Sequence, residues 1–184
     1  MARTVTTPPV AEPVTLERAR RHLKVDHTVE DDDIKDWIVT ARQHIERITE
    51  HAVMAQVWTE TVAQMPARLE LRGGNVRSVL AVRYRDENGE SQTIPASSYE
   101  IDRSTKPPRL VTADGRPWPA ARRYEIDYEV GYPSAEEVPR PLVSAILLVL
   151  ADLYENRGTK IVGVSVVENP AVDDLIFDFR RVRP

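Results

Sequence analysis

The side chains best suited to chemistry lie in the first third of the chain, which holds all four histidines. His27 precedes three consecutive carboxylates, Asp31, Asp32 and Asp33, and imidazole and carboxylate groups are common zinc ligands. Three consecutive residues of a helix point in three directions, however, and no second histidine stands at ligand spacing from His27. Carboxylates in the first turn of a helix are favoured by the helix dipole. The sequence therefore predicts a helix start here, with no metal and no other cofactor.

The remaining candidates for catalysis lack the neighbours that catalysis needs. His44 and His51 are predicted to be solvated or structural histidines. The glycine pair at 73–74 is not followed by Lys and Ser or Thr and does not open a helix, so it is not a phosphate-binding loop. The serine pair at 97–98 lacks the flanking glycines of a nucleophile elbow. We therefore predict no catalytic residue and no enzymatic activity.

The composition is that of a globular, mildly acidic protein. The chain has 184 residues, 25 Lys and Arg against 29 Asp and Glu, a net charge of −4 and 41% hydrophobic residues. This length suits one compact domain with ordered arms. The lack of cysteine excludes a disulfide scaffold and a thiol nucleophile, and the acidic balance argues against a general nucleic-acid binder. With no apolar run of about 18 residues and no apolar leader, we expect no membrane partner and a cytosolic compartment.

An amphipathic helix over residues 31–50 is the strongest structural prediction. Apolar residues recur there at spacings of three and four, from Ile34 to Ile48, with charged residues on the opposite face. A shorter helix is predicted over residues 15–23, with Thr15 as its N-cap. One apolar face of each helix is therefore expected to be buried.

A second long helix is predicted over residues 139–156. Its stretch 145–151 is apolar on every side, so it must be buried on every side, as a central core helix or at a subunit interface. The predicted subunit core or interface residues of the two long helices are Ile34, Trp37, Ile38, Ile45, Ile146, Leu147, Leu150 and Tyr154.

Between residues 57 and 130 the apolar period changes to two, which indicates β-strands. Residues 86–89 read Asp-Glu-Asn-Gly, a hairpin turn, and Trp118 lies in a loop rich in proline. The predicted fold class is α+β. It combines a helical bundle core of two long helices and short ones, an inserted small antiparallel β-hairpin unit, and extended N- and C-terminal arms.

Both termini are predicted to be arms outside the domain at residues 15–158. Residues 1–14 hold three prolines and no periodicity. The C-terminal arm, residues 159–184, is predicted to contain a strand at 161–167 and a short helix at 171–180. Both phenylalanines of the chain lie in this helix, close to several arginines, and aromatic and Arg side chains dominate interface hot spots. The arm is therefore predicted either to anchor a partner or to fold back onto its own domain.

A series of short motifs runs in order from about residue 15 to about residue 181. It consists of Leu16, Glu17, Ala19, His22 and Asp26; Trp58 and Thr59; Val79, Val82, Tyr84, Asp86 and Gly89; Ser98 and Tyr99; Arg109 and Leu110; Trp118 and Pro119; Tyr128, Gly131 and Tyr132; Val138, Pro139, Pro141, Leu142 and residues 145–148; residues 154–157; and Val172, Leu175, Ile176, Phe179 and Arg180. The series resembles the head–tail connector (adaptor) proteins of phages, specifically the family often labelled gp6-like or phiE125 gp8-like, which gene transfer agents also carry. The sequence departs from the family at residues 49–51, where Thr-Glu-His stands in place of the usual Thr-Gly-Arg.

The resemblance implies a structural role in a virion or phage-like particle assembled in the bacterial cytoplasm. Such adaptors form a ring, typically of twelve copies, beneath the portal protein at the capsid vertex. The ring completes the head and joins it to the stopper or tail-side connector protein. DNA passes through the lumen without sequence-specific binding, and a lumen of like charge would let the duplex slide.

The resemblance also suggests where the contacts lie. The residues expected to dock on the portal are Leu175, Ile176, Phe177, Phe179 and Arg180. The residues expected to contact tail-side proteins are Asp86, Asn88, Gly89 and Trp118.

Two alternatives from other functional classes stay open at this point. One is a cytosolic interaction module that dimerises through the helix at 145–151. The other is a small metal-dependent hydrolase built around His27 and Asp31. Oligomer size separates the module from a ring, and metal content after dialysis identifies a hydrolase.

Overall fold

The computed structural model describes residues 2–156 and 169–180. The chain folds into two compact units, which we call the β unit and the helical unit. The β unit comprises Met1–Val10 and Ala55–Gly131, and the helical unit comprises Ala11–Met54 and Tyr132–Pro184. The strand predicted at 161–167 lies outside the described residues.

The described part of the helical unit contains four α-helices. They are α1 (Leu16–Leu23), α2 (Asp31–Thr49), α3 (Arg140–Glu155) and α4 (Pro170–Ile176), with a 3-10 turn at Phe177–Phe179 after α4. Thr15 caps α1, because its side chain accepts a hydrogen bond from the backbone N–H of Arg18 at 3.2 Å. The residues that follow α1 and α2, Lys24 and Glu50, have φ angles of 57° and 54°. This left-handed conformation ends each helix.

α3 is the central helix of this unit. It packs against α1, α2 and α4. These three neighbours explain the burial of most of the apolar stretch at 145–151, in which Leu148 and Ala151 are half-buried. The buried residues of α3 are Leu142, Val143, Ala145, Ile146, Leu147, Val149 and Leu150. Full burial of a valine, leucine or isoleucine side chain contributes about 1.5–3 kcal/mol to the stability of the folded chain.

A buried ion-pair network ties the start of the helical unit to α2. The guanidinium of Arg42, only 5% exposed, donates from Nε to Glu12 Oε2 at 2.7 Å and from Nη1 to Glu46 Oε2 at 2.7 Å. The second oxygen of Glu46 accepts the backbone N–H of Val53 at 2.8 Å. One arginine therefore fixes residues on three segments of the chain.

The helical unit also holds together the two points where the chain leaves for the β unit and returns from it. Met54 and Tyr132 form a parallel β-bridge, and the backbone N–H of Tyr132 donates to Val53 O at 3.3 Å. The long segment Ala55–Gly131 therefore starts and finishes at neighbouring positions of one framework.

The β unit is built from eight strands. They are β1 (Ala2–Thr7), β2 (Gln56–Val62), β3 (Leu69–Glu70), β4 (Val76–Arg85), β5 (Ser91–Ile94), β6 (Tyr99–Asp102), β7 (Arg109–Thr112) and β8 (Arg123–Val130). A five-stranded sheet has the order β1-β2-β8-β4-β5, and a three-stranded sheet has the order β3-β7-β6. The strand pairs are antiparallel in both sheets.

Strands β2 and β8 of the five-stranded sheet alternate strictly between a buried face and a more exposed face. On the more exposed face, Asp127 accepts a hydrogen bond from Thr59 Oγ1 at 2.7 Å and forms an ion pair with Arg83, whose Nη2 lies 2.7 Å from Asp127 Oδ2. The side chains that β2 and β8 bury on the other face are Gln56, Trp58, Glu60, Val62, Tyr124, Ile126, Tyr128 and Val130.

Gly73 packs directly against the buried face. Its φ angle is +115°, and a Cβ atom there would lie 2.7 Å from Val130 Cγ1 and 2.8 Å from Trp58 Cζ3. Both the backbone conformation and the space therefore require glycine. The glycine pair is a packing feature of the sheet.

The predicted helical bundle with a small inserted hairpin unit and extended arms is wrong. The strands form a complete second unit of two antiparallel sheets, and residues 2–7 of the expected N-terminal arm form the edge strand β1. The prediction fails because the five-stranded sheet is formed by pairing between segments that are distant in the sequence, such as Trp58 with Tyr128 and Ala2 with Thr61. Alternation along one strand identifies a strand but not its partner.

Candidate interaction surfaces

The C-terminal helix α4 is docked on α3. Its N-cap Asn169 accepts the backbone N–H of Ala171 at 3.1 Å and donates from Nδ2 to Asp152 Oδ2 at 3.3 Å. Val172 and Ile176 enter the core of the helical unit, where they are 5% and 0% exposed. The helix is therefore held by a polar cap at one end and by apolar packing along one face.

The five residues predicted to dock on a portal divide into two groups. Ile176 is fully buried, and Leu175 and Phe179 are half-buried against the core of the helical unit. Phe177 is 73% exposed, and Arg180 is exposed and forms an ion pair with Asp173. Phe177 and Arg180 are therefore the members of this set whose side chains are exposed.

His51 forms an aromatic cluster that was not predicted from the sequence. Its ring stacks on Tyr132 with centroids 5.7 Å apart, and it meets Phe179 edge to face at 5.6 Å. Burial lowers the pKa of His51 to about 4, and its Nε2 atom has no hydrogen-bond partner among residues 2–156 and 169–180. The imidazole is therefore neutral at pH 7 and helps to hold the end of the C-terminal segment.

The eight residues predicted as subunit core or interface lie in the helical unit. Six of them are buried in its core: Ile34, Ile38, Ile45, Ile146, Leu147 and Leu150. Trp37 and Tyr154 are half-buried and meet edge to face with ring centroids 5.6 Å apart. The hydroxyl of Tyr154 donates to Glu30 Oε2 at 2.9 Å. This aromatic pair is the part of the set that reaches the surface.

The hairpin between β4 and β5 ends in an exposed, well-defined turn. Asp86 Oδ1 accepts the backbone N–H groups of Asn88 at 3.0 Å and Glu90 at 2.9 Å. Gly89 has a φ angle of +85°, and a Cβ atom there would meet nothing within 4 Å. The turn therefore presents Asp86, Asn88 and Gly89 as a fixed, polar tip.

Trp118 lies in the long loop between β7 and β8. Its indole Nε1 donates to Pro66 O at 3.0 Å, and the hydroxyl of Tyr124 donates to Pro119 O. Trp118 is half-buried. The loop is therefore fastened at two points to other segments of the β unit.

Two of the three carboxylates at the start of α2 lie close to basic side chains. Asp31 lies 3.6 Å from Arg20, and Asp32 lies 2.8 Å from Lys35. Within the two described stretches of the chain, no three His, Cys, Asp or Glu residues are placed to hold a metal ion. None of the described helices is long and apolar enough to span a membrane.

The two units differ in charge. The helical unit carries 18 Asp and Glu against 13 Lys and Arg, a net charge of −5, whereas the β unit carries 11 against 12, a net charge of +1. The acidity of the whole chain therefore resides in the helical unit.

Comparison with solved structures shows what this fold resembles. The chain is similar over 100% of its length to a chain in the neck of an empty gene transfer agent (GTA) particle computed with C6 symmetry, with a TM-score of 0.83 and 23% identity. It is equally similar to a chain in the virion of a native GTA particle, with a TM-score of 0.83 and 22% identity. A chain in the neck of a native GTA particle computed with C12 symmetry matches with a TM-score of 0.81 and 23% identity. In each case 97% of the other chain is covered.

These matches show that the chain shares its complete fold, both units included, with chains of GTA necks and virions. No protein-family model matches the sequence, and no curated protein is significantly similar to it.

Proposed function

We propose that this protein is a structural, non-enzymatic head–tail connector, or adaptor, of a phage-like particle of the gene transfer agent type. In this role, copies of the chain form a ring beneath the portal protein, complete the head and join it to the stopper or tail-side connector. The protein is a component of the particle and assembles in the bacterial cytoplasm.

The observation that carries the proposal is the full-length likeness to neck chains, at a TM-score of 0.83 over 100% of this chain. The likeness covers the helical unit and the β unit together, so it does not rest on one common motif. The collinear sequence motifs support the same role independently, because they span both units. Two neck structures were computed with C6 and C12 symmetry. A ring of twelve equivalent copies has C12 symmetry, and C6 is compatible with such a ring.

The C-terminal segment is the proposed portal-binding element. Phe177 is exposed and lies beside Arg180, and an exposed aromatic next to an arginine is the typical composition of an interface hot spot. Ile176, Leu175 and Phe179 support the segment from inside, because they anchor α4 and the 3-10 turn to the helical unit. The docked helix presents Phe177 in a fixed position, which lowers the entropic cost of binding.

Two further surfaces are assigned to neighbouring components. The half-buried pair of Trp37 and Tyr154 is the proposed contact between adjacent copies in the ring. The hairpin tip at Asp86, Asn88 and Gly89 and the loop that carries Trp118 are the proposed tail-side contacts. The hydrogen bonds inside the tip and the loop keep these surfaces in one shape before a partner arrives.

DNA is proposed to pass through the lumen of the ring without specific binding. The net charge of −4 repels the DNA backbone, whereas a basic lumen would retain the duplex by counterion release. A particle that must release its DNA requires a lumen that does not retain the duplex.

The proposal is tested by co-expression of the tagged chain with the portal protein of its particle. Native mass spectrometry and electron microscopy of the purified complex then give the copy number and the position of the ring. We expect twelve copies bound to one end of the portal. A soluble dimer that does not bind the portal contradicts the proposal and favours an interaction module.

A further inference from the structure

Strand β1 is attached to its sheet in an unusual way. It is an edge strand, β2 is its one pairing partner among the described strands, and all six of its residues, Ala2–Thr7, are exposed. The antiparallel register runs from Ala2 opposite Thr61 to Thr7 opposite Val57, with an irregularity between Val5 and Thr7. Main-chain hydrogen bonds therefore provide most of its attachment, and such bonds do not depend on which copy of the chain supplies the strand.

Two side chains of β1 contact side chains of β2, because Thr6 Oγ1 shares a hydrogen bond with Thr59 Oγ1 and Arg3 lies over Trp58. The guanidinium of Arg3 lies 4.3 Å above the ring of Trp58, and Arg3 is the register partner of Glu60. Trp58 and Glu60 are only 5% and 2% exposed, and the charge of Arg3 partly offsets the effect of burial, which raises the pKa of Glu60. Arg3 therefore adds a favourable side-chain contact to the main-chain pairing of β1 with β2.

The segment that follows β1 is stiff and exposed. Pro8 and Pro9 fix their own φ angles and hold the preceding residues in extended conformations, and Val10 is fully exposed. The chain is next fixed at Glu12, by the ion pair with Arg42 in the helical unit. The five steps from Thr7 to Glu12 span at most about 17 Å. β1 is therefore a short strand on a short, proline-containing connection that bends at Val10 and Ala11 and is anchored at Glu12 in the helical unit.

From these features we propose that β1 is an exchanged strand: in the assembled ring, β1 of each copy pairs with β2 of the neighbouring copy. The inference rests on the proposed function, because it requires a ring. Each copy donates one strand and accepts one, which is a head-to-tail contact that closes around a cyclic ring. Because the exchanged and unexchanged pairs contain the same hydrogen bonds and the same Arg3–Trp58 contact, exchange requires no new chemistry and links adjacent copies through their chains.

The absence of cysteine from the chain makes a direct test possible. Thr4 lies opposite Thr59 in the register, so the variant Thr4→Cys/Thr59→Cys places two thiols on paired positions of β1 and β2. A second variant, Ala2→Cys/Thr61→Cys, probes the same pair at another point of the register. The control, Arg85→Cys/Ser91→Cys, joins β4 and β5 of one hairpin and must close within a single chain.

Each variant is co-expressed with the portal protein of its particle, oxidised and separated on a denaturing gel without reductant. Native mass spectrometry of the same samples reports whether a ring has formed. We expect the two β1–β2 variants to yield a ladder of covalent multimers from the ring, while the hairpin control yields monomer alone. The isolated monomeric form of each variant serves as the reference for gel mobility, because there the β1–β2 disulfide must form within one chain.

A ring that gives only disulfides within single chains, for both β1–β2 variants, overturns strand exchange and leaves the proposed function intact. The absence of any ring overturns both the proposed function and the inference drawn from it.

Discussion

The imidazole ring of His51 lies nearly parallel to the phenol ring of Tyr132, with an interplanar angle of 15° and a centroid separation of 5.7 Å. The edge of the same imidazole faces Phe179 in the C-terminal segment. A single side chain at the end of α2 therefore contacts both the residue at which the chain re-enters the helical unit and the segment proposed to bind the portal.

This arrangement predicts a pH-dependent stability. The pKa of His51 is about 4 in the folded protein and 6.5 in the unfolded chain, so the unfolded chain binds more protons between these values. The stability contribution is fully present above about pH 6.5 and is lost as the pH falls toward 4, by up to about 3 kcal/mol. Urea unfolding between pH 4 and 7 measures how much stability the wild type and His51→Phe each lose on acidification. We expect the variant to lose less than the wild type. His22→Asn, which replaces an exposed histidine of α1, is the control variant.

Adjacent residues of the C-terminal segment should have separate roles. Phe177→Ser removes an exposed side chain, so we expect an unfolding free energy within about 0.5 kcal/mol of wild type. Its affinity for the portal should fall about tenfold or more, because exposed aromatics at interfaces are hot spots. Ile176→Ala leaves a cavity at a fully buried position and should lower the free energy of unfolding by about 2–5 kcal/mol. Denaturant unfolding and portal pull-down of both variants test this division, and an unchanged affinity of Phe177→Ser contradicts the assignment.

The buried ion-pair network should be sensitive to the loss of its single cation. Arg42→Met leaves Glu12 and Glu46 without the guanidinium that neutralises them in a site where Arg42 is 5% exposed. We expect a loss of about 3–5 kcal/mol in the free energy of unfolding, measured with urea. Arg21→Met is the matched control, since Arg21 pairs with Glu17 at the surface, with 72% of its side chain exposed. That control should change stability by less than about 0.5 kcal/mol.

Two glycines with positive φ angles should respond differently to alanine. At Gly89 the added Cβ meets no atom within 4 Å, so only the left-handed backbone is penalised, by about 1 kcal/mol. At Gly73 the Cβ would also overlap Val130 and Trp58, which adds about 1–3 kcal/mol of overpacking. Thermal unfolding of Gly73→Ala and Gly89→Ala measures the difference, and equal destabilisation would show that the contact on the sheet can relax.

The helices could be read from the sequence because helical contacts are mostly local. The spacing from Ile34 to Ile48 predicted a helix over residues 31–50, and α2 spans Asp31–Thr49. The extent of the β structure could not be read, because its pairs join residues far apart, as Trp58 and Tyr128 do. β1 was interpreted as part of an arm because its sequence, Ala-Arg-Thr-Val-Thr-Thr, has no apolar alternation. Its pairing depends on main-chain bonds, which leave no side-chain pattern.

The candidate surfaces show the same limit. The composition of the tail marks both phenylalanines as candidate contact residues. It does not distinguish the exposed Phe177 from the half-buried Phe179. The contacts of His51 join residues 51, 132 and 179, and no spacing rule connects these positions. Only the folded chain brings them together.

The bridge between Met54 and Tyr132 has a consequence for how such a protein can evolve. Because the two ends of Ala55–Gly131 meet within the helical unit, that segment resembles a cassette inserted at one point of a host gene. Substitutions, or even recombination, within the cassette can alter its outward loops while the junction stays closed. If the proposed tail-side contacts lie in these loops, a lineage of particles can change its tail-side neighbour in this way without altering the helices proposed to meet the portal.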